Sequence, residues 1–305
     1  MMIHIKNLRV LSLFDGMSGG QIALNYLGIK DYTYYASEIN ENSIKITQKN
    51  YPDTIQLGDV TLLKEQKLKE IGDIDLLMGG SPCTNLTITV CNNYEHNQGL
   101  LGKESKLFFE YIRIKKLIKP KYFLLENVAS MTTENKDIIT KYMGVEPIKI
   151  NSDIVSAQDR ERLYWTNIPL NKLPVSKGLV LKDIMQQNVE ERYFYKQDFD
   201  FNGWDKRIIA TLHLKCHDIG KRVYNPNMTC ATLTGVRGGY QEKKVYDGKK
   251  CRKIIPLEYE RLQNVPEGYT EGVANSARYC MLGDGWTINV IKYIFQNLVK
   301  EYIHN

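Results

Sequence analysis

The feature that most constrains the fold is the alternation of short apolar runs with amphipathic stretches in the first half of the chain. The apolar runs predict strands at 8–14, 33–37, 74–78 and 122–125. The amphipathic stretches predict helices at 21–27, 42–50 and 107–118. Strands that alternate with helices form a doubly wound, mostly parallel sheet, which binds ligands at the carboxyl ends of its strands. We therefore predict an α/β fold with its functional residues at those ends.

The second half of the chain has a different texture. Turn signals, such as Asn-Pro at 225–226 and Asp-Gly at 247–248, separate short mixed segments there. These signals predict a second, smaller and β-rich domain. The last stretch, 287–302, has apolar residues at helical spacing and is predicted to pack on the first domain. The predicted domains are 1–168 and 169–279, and 280–305 is predicted as a C-terminal helix that returns to the first domain.

Composition excludes several classes of protein. Hydrophobic residues make up 43% and charged residues 25% of the 305 residues, as in ordinary globular chains. No apolar run approaches the roughly 20 residues that cross a membrane, and the first residues do not resemble a signal peptide. The six cysteines are scattered without a Cys-x-x-Cys pair, so we expect a reduced, cytoplasmic protein without a metal site.

The net charge of +6 is unevenly distributed. Residues 205–253 contain 12 Lys or Arg and 4 Asp or Glu, a balance of +8, so the remainder of the chain sums to −2. A basic segment on a nearly neutral body is typical of a module that meets a polyanion. A solvated lysine-rich face is the alternative.

Polar motifs follow the predicted strands. The loop FDGMSGG, Phe14 to Gly20, has glycines that let a ligand approach the backbone, and it opens a helix. Glu38 ends the next strand, where a carboxylate can bind ribose hydroxyls, and Asp59 could accept from an adenine amino group. These residues predict a nucleotide-like cofactor and leave NAD and S-adenosylmethionine open, while a tight strand–helix turn remains the simpler interpretation.

Three further motifs carry reactive side chains. Cys83, in the sequence GGSPC, is a candidate thiolate nucleophile, although most loop cysteines are inert. Glu126 could have a raised pKa and donate a proton, or it could cap a helix. Arg160 and Arg162 would point the same way if they lie on one strand, but they could also belong to a surface ion-pair cluster.

The order and spacing of these motifs are more specific than any one of them. The series FDGMSGG, SPC, LLENV, QDRER, PLEYERLQNVPEGY and LGDGWTINVI resembles the successive motifs of the C5-cytosine DNA methyltransferases, from Leu8 to Val299. The closest similarity is to phage and bacterial enzymes related to the eukaryotic de novo branch. The gap at 170–253 falls where that family has its target-recognition domain. The resemblance implies the S-adenosylmethionine-dependent methyltransferase fold with a smaller β-rich target-recognition domain.

The resemblance also implies the cofactor and the residues that surround it. S-adenosylmethionine would be held by Phe14, Asp15, Gly16, Met17, Ser18, Gly19, Glu38, Ile39, Asp59, Val60, Pro82, Leu107, Asp284, Gly285 and Trp286. Asp284 stands where the family commonly has Asn, and a carboxylate there would repel that of the cofactor. We therefore expect Asp284 to point away or to contribute only its backbone. Thr84 also departs from the family pattern, which commonly has Gln after Pro-Cys.

The catalytic roles follow from the same resemblance. Cys83 would add to carbon 6 of a cytosine, Glu126 would protonate or hydrogen-bond N3, and Arg162 would hold O2, with Arg160 as a further catalytic candidate. The methyl group would then pass to carbon 5. The base must leave the duplex, which costs a few kcal/mol of unstacking and unpairing.

The expected partner is duplex DNA, without a membrane or an obligate protein partner. The polar loop 84–103, with Gly99 and Gly102 as flexible points, would clamp the strands. The segment 229–239 resembles the Thr-Leu core of the family's recognition domains. It would contact DNA through Thr232 and Arg237, and the basic residues Lys243 and Lys244 would contact phosphates.

Three other functions remain open at this stage: a tRNA methyltransferase of the same fold, a catalytically silent DNA-binding relative and, more remotely, a nicotinamide dehydrogenase. Cys83, Glu126 and Arg162 together argue against the silent relative, because a scaffold has no physical need for them. Assaying methyl transfer to duplex DNA and to tRNA distinguishes the first alternative.

Overall fold

The computed structural model describes residues 7–82, 100, 102, 105–170 and 172–303. The chain folds into two compact units. The first unit contains 1–150, 161–173 and 291–305, and the second contains 151–160 and 174–290. The predicted boundaries assign DNA recognition to residues 169–279, and that assignment stays a prediction.

The first unit is built on a seven-stranded sheet with helices between its strands. The strands are β1 Leu8–Leu13, β2 Tyr32–Ser37, β3 Ile55–Gln56, β4 Leu76–Gly80, β5 Tyr122–Val128, β6 Ile148–Asn151 and, after a short strand in the second unit (β7, below), β8 Glu161–Thr166. The helices are α1 Gly19–Tyr26, α2 Glu41–Asn50, α3 Glu65–Glu70, α4 Phe108–Ile118 and α5 Thr133–Met143. The strands and helices predicted from periodicity in the first half of the chain are confirmed.

The strand order is β3-β2-β1-β4-β5-β8-β6. The pairs among β1 to β5 are parallel, whereas β8 runs antiparallel to β5. β5 is buried along its whole length, which explains the apolar run of its first four residues. The α/β prediction of a mostly parallel sheet is therefore confirmed, and the carboxyl ends of β1, β2, β4 and β5 lie at one edge.

The second unit contains two small sheets. The five-stranded sheet has the order β14-β13-β11-β10-β9, and β7 pairs with β12. The strands are β7 Gln158–Asp159, β9 Phe199–Phe201, β10 Ile208–Leu212, β11 Arg222–Tyr224, β12 Cys230–Ala231, β13 Lys244–Tyr246 and β14 Cys251–Lys253. The helices are α6 Asp218–Lys221, α7 Pro256–Leu262 and α8 Asn275–Asp284. The β-rich character predicted for this part of the chain is confirmed.

The last helix, α9, spans Ile288–Ile303, and its residues from Ile291 onward belong to the first unit. Its apolar face is fully buried, as its spacing predicts: Ile288, Ile291, Ile294, Phe295 and Leu298. A search of the described residues finds no helix long and apolar enough to cross a membrane.

Candidate active site

The loop between β1 and α1 has an unusual backbone. Phe14, Gly16 and Ser18 all have positive φ, between 57° and 64°. Non-glycine residues in this region are strained, and such strain is concentrated at functional sites. A Cβ built on Gly16 would meet no atom within 4 Å, so the loop leaves open space beside its backbone. This is the room that a ligand lying against the loop requires.

Glu38 stabilises this loop from the end of β2. Its Oε2 accepts a hydrogen bond from the Gly16 amide at 2.7 Å, and its Oε1 accepts from the amides of Ile39 and Asn40, both at 2.8 Å. An ionised carboxylate offers about four lone-pair sites. Three are occupied here, so the carboxylate can accept one more hydrogen bond, such as that of a ribose hydroxyl.

Asp15 belongs to the same loop. Its carboxylate accepts hydrogen bonds from the hydroxyl groups of Ser18 and Tyr34, both at 2.7 Å. Burial raises the pKa of Asp15 to about 6, and the charge of Glu38 acts in the same direction. The carboxyl group of Asp15 therefore titrates close to neutral pH at the centre of the predicted cofactor loop.

Asp59 and the apolar candidates form the rest of this region in the first unit. Asp59 Oδ1 accepts from the amide and hydroxyl groups of Thr61, both at 2.8 Å, which leaves Oδ2 for another donor. Val60 belongs to the main apolar core, and Phe14 and Leu107 pack against it. Met17 is buried, whereas Ile39 is exposed. The structure thus brings most of the predicted cofactor residues to the carboxyl ends of neighbouring strands.

The segment before Cys83 is fixed by a residue that the sequence analysis did not select. Asn127 Nδ2 donates to the carbonyl oxygen and to the hydroxyl oxygen of Ser81, both at 3.2 Å. Asn127 is buried at the end of β5. Its position inside the ENV motif was the available signal. Cys83 and Thr84, together with most of the predicted clamp loop 84–103, lie outside the described residues.

Glu126 and Arg162 form an ion pair at the end of β5. Arg162 Nε lies 2.8 Å from Glu126 Oε1, with side-chain exposures of 13% and 11%. Arg162 also donates to the carbonyl oxygen of Glu161. Glu126 is in register with Gly80 of the neighbouring β4, which leads directly to Ser81. A carboxyl group and a guanidinium thus stand side by side, next to the end of β4.

Arg160 binds backbone carbonyl groups of the second unit instead of a carboxylate. It is 3% exposed and donates to the carbonyl oxygens of Leu233 at 2.8 Å, Gly283 at 3.2 Å and Gly285 at 2.9 Å. Arg160 and Arg162 do not share a strand, because β7 ends before Arg160 and β8 begins after it. The condition under which strand geometry would point both guanidinium groups the same way is therefore not met.

The predicted recognition segment, 229–239, begins as β12 and continues past Leu233. Thr232 donates its hydroxyl hydrogen to the carbonyl oxygen of Asp159 at 2.8 Å. Arg207, another residue that the sequence analysis did not select, donates to the Asp159 carboxylate and to the carbonyl oxygens of Thr229 and Cys230. The base of the segment is thus held by side chains distant in sequence.

Asp284 and Arg237, predicted for two different functions, contact each other. Arg237 Nη2 lies 3.3 Å from Asp284 Oδ2 on the surface of the second unit. A Cβ at Gly235 would come within 3 Å of the same carboxylate, so the loop passes close to the end of α8. Gly285 and Trp286 follow α8 in the second unit, and their contact with a cofactor stays a prediction.

Lys243 and Lys244 require a correction. Both side chains are buried, and Lys244 Nζ donates to the carbonyl oxygens of Tyr240 and Glu242 at 2.7 and 2.8 Å. Burial lowers the pKa of both ammonium groups, that of Lys244 to about 8. The Lys244 ammonium binds its own unit and the Lys243 side chain is buried, so the predicted phosphate contacts at these two positions were wrong. The remaining basic residues of 205–253 keep that prediction.

Comparisons with known proteins agree with this arrangement. The orphan methyltransferase M.SPBetaI of Bacillus phage SPbeta is 22% identical, with alignment over 98% of this chain and 99% of that protein. The type II methyltransferase M.HhaI of Haemophilus parahaemolyticus is 25% identical over 97% of each protein.

Solved structures share the fold. S. pombe Dnmt2 methyltransferase matches with a TM-score of 0.68 and 17% identity over 98% of this chain and 100% of that one. The Entamoeba histolytica methyltransferase EhMeth matches with a TM-score of 0.66 and 16% identity over 96% and 99%. The model of the C-5 cytosine-specific DNA methylase family matches residues 8–300. The chain therefore belongs to this family and is a DNA cytosine-5 methyltransferase.

Proposed function

We propose that the chain transfers the methyl group of S-adenosylmethionine to carbon 5 of a cytosine turned out of duplex DNA, through a covalent bond between Cys83 and carbon 6. The main support is the Glu126–Arg162 ion pair. Glu126 is in register with Gly80, and Cys83 follows three residues later. Three residues span at most about 10 Å, and the proposal is that the thiol meets a base held by this pair.

Each side chain has a defined part in the chemistry. The Cys83 thiolate forms a bond to carbon 6, and the electrons of the C5–C6 double bond make carbon 5 nucleophilic. Glu126 protonates or hydrogen-bonds N3, and the Arg162 guanidinium holds O2, so both offset the negative charge that develops on the ring. Once carbon 5 carries the methyl group, a base such as water takes the carbon 5 proton, and the electrons of that C–H bond restore the C5–C6 double bond as the Cys83 thiolate departs. A proton that Glu126 gave to N3 returns to Glu126.

The first unit has residues that fit the cofactor on which this family depends. When bound, S-adenosylmethionine supplies a methyl group activated by its positive sulfonium centre. The open backbone at Gly16 gives room for the ligand, and the unused lone pair of Glu38 can accept from a ribose hydroxyl. Asp59 Oδ2 can accept from the adenine amino group, between the apolar side chains of Phe14, Val60 and Leu107.

The DNA is contacted by the second unit in this proposal. Its exposed loop after Leu233 reads bases, and exposed basic residues of 205–253 contact phosphates. The enzyme would act in the cytoplasm of a bacterium or a phage-infected cell, either beside a restriction enzyme or alone. Its relatives in phage SPbeta, an orphan methyltransferase, and in Haemophilus parahaemolyticus, a type II methyltransferase, illustrate both situations.

A trapping experiment tests the covalent step. Duplex DNA that contains 5-fluorocytosine should trap the wild-type enzyme in the presence of cofactor, because fluorine cannot leave carbon 5 as a cation. Cys83→Ser should neither trap nor turn over, since a hydroxyl group is scarcely ionised near neutrality. The matched control is Cys280→Ser, which removes a different thiol in the second unit and should trap normally.

Labelled cofactor with duplex DNA and with tRNA, followed by sequencing of the products, identifies the substrate. We expect 5-methylcytosine in DNA at a defined sequence. Methylation of tRNA alone would overturn the DNA assignment. Normal turnover without a trapped complex at the preferred sequence would overturn the covalent mechanism.

A further inference from the structure

The base of the recognition segment is held by an extension of a very short strand pair. β7 and β12 pair in parallel over only two residues each, with Cys230 beside Gln158. Beyond β12, hydrogen bonds from side chains replace the backbone hydrogen bonds between the two strands. Gln158 Oε1 accepts from the Leu233 amide at 2.8 Å, and Arg160 donates to the Leu233 carbonyl oxygen at 2.8 Å. We call these two hydrogen bonds the Leu233 clamp.

The clamp is tied to the end of α8. Arg160 also donates to the carbonyl oxygens of Gly283 and Gly285. Gln158 Nε2 donates to Gln263 Oε1 at 3.1 Å, and Gln263 Nε2 donates to the carbonyl oxygen of Leu282 at 2.7 Å. Leu233 is thereby fixed by side chains that also hold the end of α8.

Burial changes abruptly after the clamp. Gln158 and Leu233 are fully buried, but the chain becomes exposed at Thr234 and again from Arg237 to Gln241. Gly238 and Gly239 turn this tip with positive φ, which glycine adopts without strain. A rigid base therefore carries a short exposed tip, residues 234–241.

We propose that Gln158 and Arg160 are positioning residues that set the target-sequence discrimination of the enzyme, by fixing where the tip leaves the second unit. This inference rests on the proposed function, in which the tip contacts DNA. Because Leu233 is buried and hydrogen-bonded, the tip leaves the second unit at one fixed position. Only a duplex whose base edges match the tip at that position can bind well. Without the clamp the tip can adjust to neighbouring sequences, and discrimination falls.

The test uses duplex DNA with one central cytosine and randomised flanks, methylated by the full-length enzyme and sequenced. Gln158→Met removes both polar atoms of the side chain and keeps its length. We expect its preference for the best sequence over single-mismatch sequences to fall by roughly tenfold or more, since a read base pair contributes that order of discrimination. At the best sequence, the KM for DNA should rise while the single-turnover rate stays within about twofold of the wild-type rate.

Three further variants test the anchoring of the recognition segment independently of Gln158. Arg160→Lys keeps a positive charge but cannot reach three carbonyl oxygens at once, so its discrimination should also fall. Thr232→Val removes the hydrogen bond to the carbonyl oxygen of Asp159, and Thr232→Ser keeps that hydroxyl and should restore discrimination. If the buried substitutions prevent folding, the Thr232 pair decides.

Arg162→Lys is the matched control, because it lies in the same motif but should slow methylation of all sequences alike. Sequence profiles of the folded Gln158, Arg160 or Thr232→Val variants that superimpose on the wild-type profile would overturn the inference. A wild-type enzyme that leaves the DNA library unmethylated would instead overturn the proposed function, so the two failures are distinguishable.

Discussion

Two arginines separated by one residue hold different kinds of partner. Arg162 pairs with the carboxylate of Glu126, where both side chains remain slightly exposed. Arg160 is nearly buried and donates to three carbonyl oxygens. The first arrangement places a charge beside a group that can hold or release a proton. The second uses a charge to fix the backbone after β12 and at the end of α8.

Residue type and spacing alone therefore do not determine which partners an arginine binds. A guanidinium offers five N–H donors in a rigid plane, which suits one carboxylate or several carbonyl oxygens equally well. The surrounding chain decides between these uses. At Arg162 the decisive neighbour is β5, which carries the carboxylate of Glu126 near its end. At Arg160 the decisive neighbour is the chain after β12, which presents the Leu233 carbonyl oxygen.

The largest expected effect is at Glu126. Glu126→Gln keeps the shape of the side chain but cannot transfer a proton, so single-turnover methylation should fall by about 10²- to 10⁴-fold. Thermal unfolding should change little by comparison, because the pair lies at the edge of the core and Arg162 keeps its bond to the Glu161 carbonyl oxygen. Quenched-flow methylation and calorimetry on the same preparation measure both quantities.

The matched control is Glu258→Gln in the second unit. Glu258 forms a bidentate pair with Arg252, and their side chains are 0% and 2% exposed. Removing one partner of a fully buried pair costs about 3–5 kcal/mol. We expect this variant to lose stability and to keep its rate per folded molecule. A Glu126→Gln variant with near-normal rate and lowered stability would assign Glu126 a purely structural function.

Part of the fold and of the candidate site could be predicted from the sequence alone. Local periodicity was sufficient for β1, β2, β4 and β5 and for α1, α2 and α4, because their apolar residues follow the spacing of a buried strand or of a helix face. The carboxyl ends of such strands meet at one edge, so Glu38 and Glu126 could be assigned to that edge in advance. Both assignments follow from the order of strands and helices along the chain.

The second unit could not be predicted at this level. Its fixed points join residues far apart in sequence, as when Gln158 accepts from Leu233, 75 residues later. Lys243 and Lys244 were assigned to phosphate contacts because of their charge, and both side chains are buried instead. Lys244 is buried because Tyr240 and Glu242 offer two carbonyl oxygens to its ammonium group. Only the tertiary fold supplies those partners.

A smaller effect is expected at Asp15, whose buried carboxyl group has hydroxyl partners rather than an arginine. Its pKa is about 6 in the folded chain, above the ordinary value of 3.8. Between these values the folded protein retains a proton that the unfolded chain has lost, so Asp15 makes the free energy of unfolding fall as pH rises from about 4 to about 6. At about 1.4 kcal/mol per unit of pKa difference, the change is at most a few kcal/mol.

Asp15→Asn removes this titration. The stability of the variant relative to the wild type should therefore increase with pH across that window and become constant above it. Chemical denaturation at closely spaced pH values measures the difference directly. A difference that does not change between pH 4 and pH 6 would show that Asp15 titrates normally in the folded protein.

The smallest expected effect concerns Arg237 and Asp284, a pair far more exposed than Arg160 or Arg162. Their side chains are 71% and 53% exposed, and such pairs contribute about 0–1 kcal/mol. Asp284→Asn should therefore leave stability almost unchanged.

If Arg237 contacts DNA, the same change releases its guanidinium and should raise duplex affinity by a few-fold at low salt, an effect that screening abolishes at high salt. Fluorescence titration with duplex DNA at two salt concentrations measures this effect, and Arg237→Ala should eliminate the gain. A gain that persists in the Arg237→Ala background would show that Asp284 repels the DNA phosphates directly and that its pair with Arg237 does not control recognition.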